Sequence, residues 1–187
     1  MKKTILIIDC GSDKVKAIED SLNQLNYDFE TLPFTVLDDI EVEEYKGIII
    51  SGSPILIAED NPFVDYFKFL KSYENPVLGI CFGHQIIGAV FGAEVYSTTE
   101  DRGETEITIV KSSGIFNQLE LPIIMKEDHT EAVEVPNDFI LLAESLNCNN
   151  EAMQHKFLPI YGVQFHPEVS GQQGMLLLNN FCKLTRG

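Results

Sequence analysis

Pro76-Val77-Leu78-Gly79-Ile80-Cys81-Phe82-Gly83-His84-Gln85 is the stretch from which the rest of the 187-residue chain is most readily understood. The apolar run after Pro76 fits a short strand buried on both faces, as in parallel sheets. Gly79 and Gly83 flank Cys81 in a G-x-C-x-G arrangement, and a helical pattern resumes from about His84 to Phe91. A strand that turns this sharply into a helix is a nucleophile elbow, whose corner needs small neighbours on either side. A thiol there stands at the carboxyl edge of the sheet, where open α/β folds bind ligands. The positive end of the following helix favours its thiolate. Read alone, the stretch also fits a core cysteine beside two glycines.

The same alternation extends towards the N-terminus. Thr4 to Cys10 is an aliphatic run, and Val15, Ile18, Leu22 and Leu25 recur at helical spacing after it. Tyr27 to Leu32 and Gly47 to Ile50 read as further strands, and Phe63, Phe67 and Leu70 as another helical stripe. Strand and helix alternating in this way predict an α/β fold: an open, mostly parallel twisted sheet with helices on both faces. Beyond Gly92 the pattern changes to short strand-like segments at Thr105 to Val110, Ile123 to Met125, Ile140 to Ala143 and Ile160 to Phe165. A closing helix from Met175 to Leu184 follows. No repeat or linker divides the chain, so residues 1–187 read as one domain.

Composition narrows the function. Against 13 basic residues stand 29 acidic ones, a formal charge of −16. That balance excludes the clustered Lys and Arg of a nucleic-acid binder and disfavours anionic membrane surfaces. No apolar run approaches the ~20 residues that span a bilayer. Met1-Lys2-Lys3 precedes apolar residues as in a signal peptide, but the run breaks at Asp9, too short for such a segment. The four cysteines, at 10, 81, 148 and 182, have neither metal-type spacing nor the density of a disulfide framework. A reduced, cytoplasmic protein without a metal or organic cofactor is expected. Cys10, Cys148 and Cys182 read as small core hydrophobes, and His84 and His129 as structural or pocket-lining.

Two further segments give Cys81 partners. Gly162-Val163-Gln164-Phe165-His166-Pro167-Glu168 follows a strand, and Pro167 biases His166 away from helical backbone. His166 and Glu168 can then share one side of an extended segment, the carboxylate fixing the tautomer while the other ring nitrogen faces a thiol. Alone, His-Pro-Glu also fits a surface turn. Ile48-Ile49-Ile50-Ser51-Gly52-Ser53-Pro54 runs a strand into a small-residue turn. Backbone N–H groups of that turn, with the one after the nucleophile, can form an oxyanion hole. The turn lacks the Gly-Lys-Ser/Thr of a phosphate-binding loop.

These segments together resemble the class I glutamine amidotransferases, whose glutaminase site is a Cys-His-Glu triad. The resemblance runs from Asp9-Cys10-Gly11-Ser12 through Ser51-Gly52-Ser53-Pro54 and Gly79 to Gln85, to Gly162 to Glu168. Glu151 to His155 and Leu158 to Val169 are most similar to the GMP synthase branch of that family. It implies a flavodoxin-like α/β fold with Cys81 as nucleophile, His166 as base and Glu168 as its orienter. Ser53 and Phe82 would supply the oxyanion N–H groups, and Gln85, Thr130 and Glu131 the substrate contacts, Glu131 to an α-ammonium. Three departures from the family pattern stand out. Ser53 replaces a second glycine, Asp13-Lys14 replaces Gln-Tyr, and Asp128-His129-Thr130-Glu131 replaces Ser-His-Gly-Asp.

The expected reaction is hydrolysis of L-glutamine to glutamate and ammonia through a Cys81 thioester. The chain shows no ATP site, so ammonia is expected to pass to an ATP-dependent synthetase, an ATP pyrophosphatase subunit of the GMP synthase type. The competing readings are a free-standing γ-glutamyl peptide hydrolase or transferase and a non-catalytic glutamine or redox sensor.

Overall fold

The computed structural model describes residues 3–58 and 62–186; Met1 and Lys2, read above against a signal peptide, lie outside them. Five strands form a parallel sheet: β1 (Lys3–Asp9), β2 (Phe29–Pro33), β3 (Tyr45–Ile50), β4 (Val77–Ile80) and β9 (Ile160–Val163). Beyond β9 the sheet continues antiparallel through β8 (Ala152–His155), β7 (Phe139–Glu144), β5 (Val95–Ile109) and β6 (Ile123–Val133). The spatial order is β2-β1-β3-β4-β9-β8-β7-β5-β6.

Strand β1 shows why this half is parallel and buried. Ile5 and Ile7 face one layer while Leu6 and Ile8 face the other, and all four are enclosed. On the first face lie α1 (Val15–Gln24) and α3 (Gly171–Leu184), through Ile18, Leu22, Leu177, Leu178 and Phe181. On the other lie α2 (Phe82–Val90) and the Pro62–Lys71 helix, through Ile86, Ile87, Phe67 and Leu70. Each such side chain contributes roughly 1.5–3 kcal/mol on burial, so both layers anchor the central strands.

Some elements differ from the sequence reading. The Phe63-Phe67-Leu70 stripe lies on a 3-10 helix, where Phe67 and Leu70, three residues apart, share an edge. Helix α2 starts two residues earlier, directly after Cys81. Strand β8 is not predicted. Strand β6 runs to Val133, paired with β5, rather than stopping at Met125; its inward positions Glu127, His129 and Glu131 are polar yet buried and conceal it. Polar residues on the buried face break the alternation that marks a strand. Among the described residues no helix is long and apolar enough to cross a membrane.

Candidate active site

Cys81 sits at the carboxyl end of β4 with φ 52° and ψ −105°, a positive-φ conformation rare for a side-chain-bearing residue. The corner is closed by its glycines. A Cβ on Gly83 would lie 2.5 Å from the Ile50 carbonyl oxygen, and one on Gly79 would lie 2.5 Å from the Gly83 carbonyl carbon. The Cys81 N–H donates to the Val163 carbonyl at 2.8 Å, and the Cys81 carbonyl accepts the Gln85 N–H at 3.1 Å. The Cys81 corner is thereby tied both to the end of β9 and to the first turn of α2.

The chain leaving β9 brings His166 to the same place. Its N–H donates to the Lys126 carbonyl on β6 at 2.8 Å, and its Nδ1 lies 2.7 Å from Glu168 Oε1. Glu168 lies on a short 3-10 turn, Pro167–Val169, rather than on extended backbone, because proline is preset for a first helical position. Both side chains are enclosed, at 3% and 0% exposure. Burial opposes a charged imidazolium, yet hydrogen bonding to Cys81 and to the Glu168 carboxylate outweighs it and pushes His166 up to about 10. A carboxylate that accepts from Nδ1 leaves Nε2 for the sulfur side.

The Ser51–Pro54 turn packs against this pair: a Cβ on Gly52 would lie 3.1 Å from His166 Cε1. Neither Gly52 nor Ser53 takes a positive φ, so the Ser53 side chain adds no left-handed strain. A cavity of about 400 Å³ opens here, lined by Ser53, Cys81, Gln85, Thr130, Glu131 and His166 among others. That volume suits a small-molecule ligand. Phe82 and Glu168 do not line it; Phe82 packs its ring into the α2 core layer. Glu131 is buried with both carboxylate oxygens occupied, accepting the Ile57 N–H at 2.8 Å and the Ala58 N–H at 3.0 Å. The Gln85 amide donates to the Glu131 carbonyl at 2.8 Å and to Gln164 Oε1 at 3.2 Å.

Sequence reasoning passes over Gln164, whose Nε2 donates to Cys81 Sγ at 3.6 Å from a fully buried position. Its place directly after β9, two residues before His166, is the signal that finds it. It also passes over Asp128. The Cys81 thiol donates to the Asp128 carbonyl at 3.9 Å, and the Asp128 carboxylate bonds Lys14 at 2.8 Å and Arg102 at 3.0 Å. The Lys14 bond is the larger cause holding that carboxyl below its usual range. Behind the site, Glu127 and Glu151 lie buried side by side, and burial pushes both carboxyls above the usual carboxylate range. His84 rests against Gly162 with its Nε2 3.0 Å from the Asn150 carbonyl, and burial draws it down to about 3. His129 places Nδ1 2.9 Å from the Glu131 carbonyl. Among the described residues no cluster of His, Cys, Asp and Glu could hold a metal ion.

Residues 6–184 match the family model of class-I glutamine amidotransferases. The chain is 41% identical to the glutamine-hydrolyzing GMP synthase subunit of Pyrococcus furiosus over 96% of this chain and 97% of that one. It is 37% identical to the same-named protein of Methanocaldococcus jannaschii, covering 96% of each. A solved structure from Thermoplasma acidophilum, provisionally assigned to the corresponding GMP synthase subunit, superposes with a TM-score of 0.88 at 29% identity. That superposition covers 97% of this chain and 93% of the other.

Proposed function

The chain belongs to the class I glutamine amidotransferase family, and on that premise we propose how its own residues hydrolyse L-glutamine and where the ammonia goes. His166 takes the Cys81 thiol proton, the sulfur attacks the side-chain amide carbon, and the Ser53 and Phe82 N–H groups hold the resulting oxyanion. His166 delivers a proton to the departing nitrogen, leaving a γ-glutamyl thioester and free ammonia. His166 then takes a proton from water, whose oxygen displaces the Cys81 sulfur to give glutamate, and the proton returns to that sulfur. Glu168 keeps the imidazole in the tautomer that faces sulfur. Gln85 and Thr130, on the cavity wall, contact the substrate's amino-acid end. The observation that carries this reading is the 2.7 Å His166–Glu168 bond, enclosed beside a cysteine held at φ 52°. Residues 1–187 act as a single amidotransferase domain in the cytoplasm, in keeping with four free, buried thiols.

The ammonia is delivered to an ATP pyrophosphatase subunit that aminates xanthosine monophosphate, as the GMP synthase names of the relatives support. Ammonia released into neutral water becomes mostly ammonium, which is no nucleophile, so transfer requires docking near the Cys81 mouth. The test measures glutamate release by this chain with and without the synthetase, ATP and xanthosine monophosphate. Low basal turnover, raised by the complete mixture, is the expected result. Full activity of the isolated chain, unchanged by the synthetase, overturns the partnership and favours a free-standing γ-glutamyl hydrolase.

A further inference from the structure

The loop that follows β3 carries the Ser53 turn, and side chains hold it at both ends. At the near end the Ser51 hydroxyl donates to the Gly52 carbonyl at 2.9 Å while accepting the Cys10 N–H at 2.9 Å. A trans peptide directs its N–H opposite its C=O, so this bond fixes the direction of the Ser53 N–H. At the far end Glu131 reaches across from β6 to the N–H groups of Ile57 and Ala58, one on each carboxylate oxygen. The Glu131 carbonyl in turn accepts the Gln85 side-chain amide, on the helix that starts at Cys81. One buried residue thus joins the oxyanion loop, the nucleophile's helix and β6.

We propose that Glu131 is a positioning residue that sets the loop bearing the Ser53 N–H, rather than the α-ammonium contact predicted from the sequence. The proposal rests on the glutaminase reading given above. Glu131 is 2% exposed and its carboxylate accepts one backbone N–H on each oxygen, so the protein's own loop fixes where that carboxylate lies. Glutamine at this position would present one acceptor and one donor to two donors. One of the two N–H groups would lose its partner and the loop end would come free. A displacement of ~1 Å in a positioning element can cost ~10²-fold in rate.

The test compares wild type and Glu131→Gln on glutamine and on glutaramate, which lacks the α-amino group, with the synthetase present. Backbone amide exchange is followed at Ile57 and Ala58. Expected are equal losses in kcat of about 10²-fold on both substrates, little change in KM, and faster exchange at Ile57 and Ala58 but not at Ile49. A loss confined to glutamine overturns the proposal in favour of an ammonium contact, and unchanged exchange overturns the clamp. Should Glu131→Gln fail to fold, Glu131→Asp retains both oxygens one methylene short and must show the same parallel loss at smaller amplitude. Wild type that releases no glutamate from glutamine sinks the glutaminase reading, while the exchange comparison still decides whether Glu131 holds the loop.

Discussion

Substituting Gly79 by alanine places one methyl group inside the corner that presents Cys81. The added Cβ would lie 2.5 Å from the Gly83 carbonyl carbon and 2.6 Å from Ile87 Cδ1, against an ordinary contact of 3.4 Å. The Ile87 tip can rotate away, but the Gly83 backbone cannot, so β4 and α2 must separate by about 0.9 Å, the difference between 3.4 and 2.5 Å. Overpacking of this kind costs about 1–3 kcal/mol. In a chain of this size roughly 2 kcal/mol lowers Tm by about 4–8 °C. The same separation moves Cys81 and the Phe82 N–H relative to His166, and a misplacement of ~1 Å costs ~10²-fold in rate. The assay is thermal unfolding alongside glutamate release, with Gly114→Ala as control, since a Cβ there meets nothing within 4 Å and its φ is not positive. A Gly79→Ala protein that keeps wild-type kcat, or melts with the control, refutes the reasoning.

Three further outcomes are expected. A glutamine-like electrophile labels Cys81 alone, and Cys81→Ala is folded but inactive. Burial pushes the thiols of Cys148 and Cys182 up to about 12 and that of Cys10 higher still, and mass spectrometry finding label on any of them contradicts the assignment. His166→Ala lowers turnover more than Glu168→Gln does, by a factor within the ~10²–10⁴ typical of general acid–base catalysis; steady-state rates showing the reverse order would exchange the roles. Because the His166 pKa is raised, its contribution to stability is full below its ordinary 6.5 and is lost as pH rises through about 10. Urea unfolding should therefore show the stability gap between wild type and His166→Gln narrowing from pH 7 to 10, and a widening gap counts against the pair.

The parallel half was legible because aliphatic runs such as Ile5-Leu6-Ile7-Ile8 signal burial on both faces, and because the glycines around Cys81 admit few backbones. Cys81, His166 and Glu168 were legible for the same local reason: each follows a strand end with a distinctive turn. What escaped was held by buried polarity. Glu127, His129 and Glu131 face inward on β6, and hydropathy patterns read such residues as surface or loop. Strand β8, only four residues long, owes its place to pairing with β7 and β9 rather than to a pattern of its own. The second bond partner of a side chain, such as the Ile57 and Ala58 amides on Glu131, lies more than seventy residues away and leaves no local mark.

Strand β9 is made after the other eight and yet occupies the middle of the sheet, with β4 on one edge and β8 on the other. Until it is inserted, the parallel and antiparallel strands have no ladder in common. The Cys81 N–H has no Val163 carbonyl to meet, and His166 has not arrived beside the sulfur. Pairings between residues so distant in sequence form late, since the intervening chain must first be ordered. A chain emerging from the ribosome therefore carries an unpaired thiol until residues 160–168 close the seam. An incomplete copy that lacks residues 160–168 therefore holds Cys81 without His166 or Glu168.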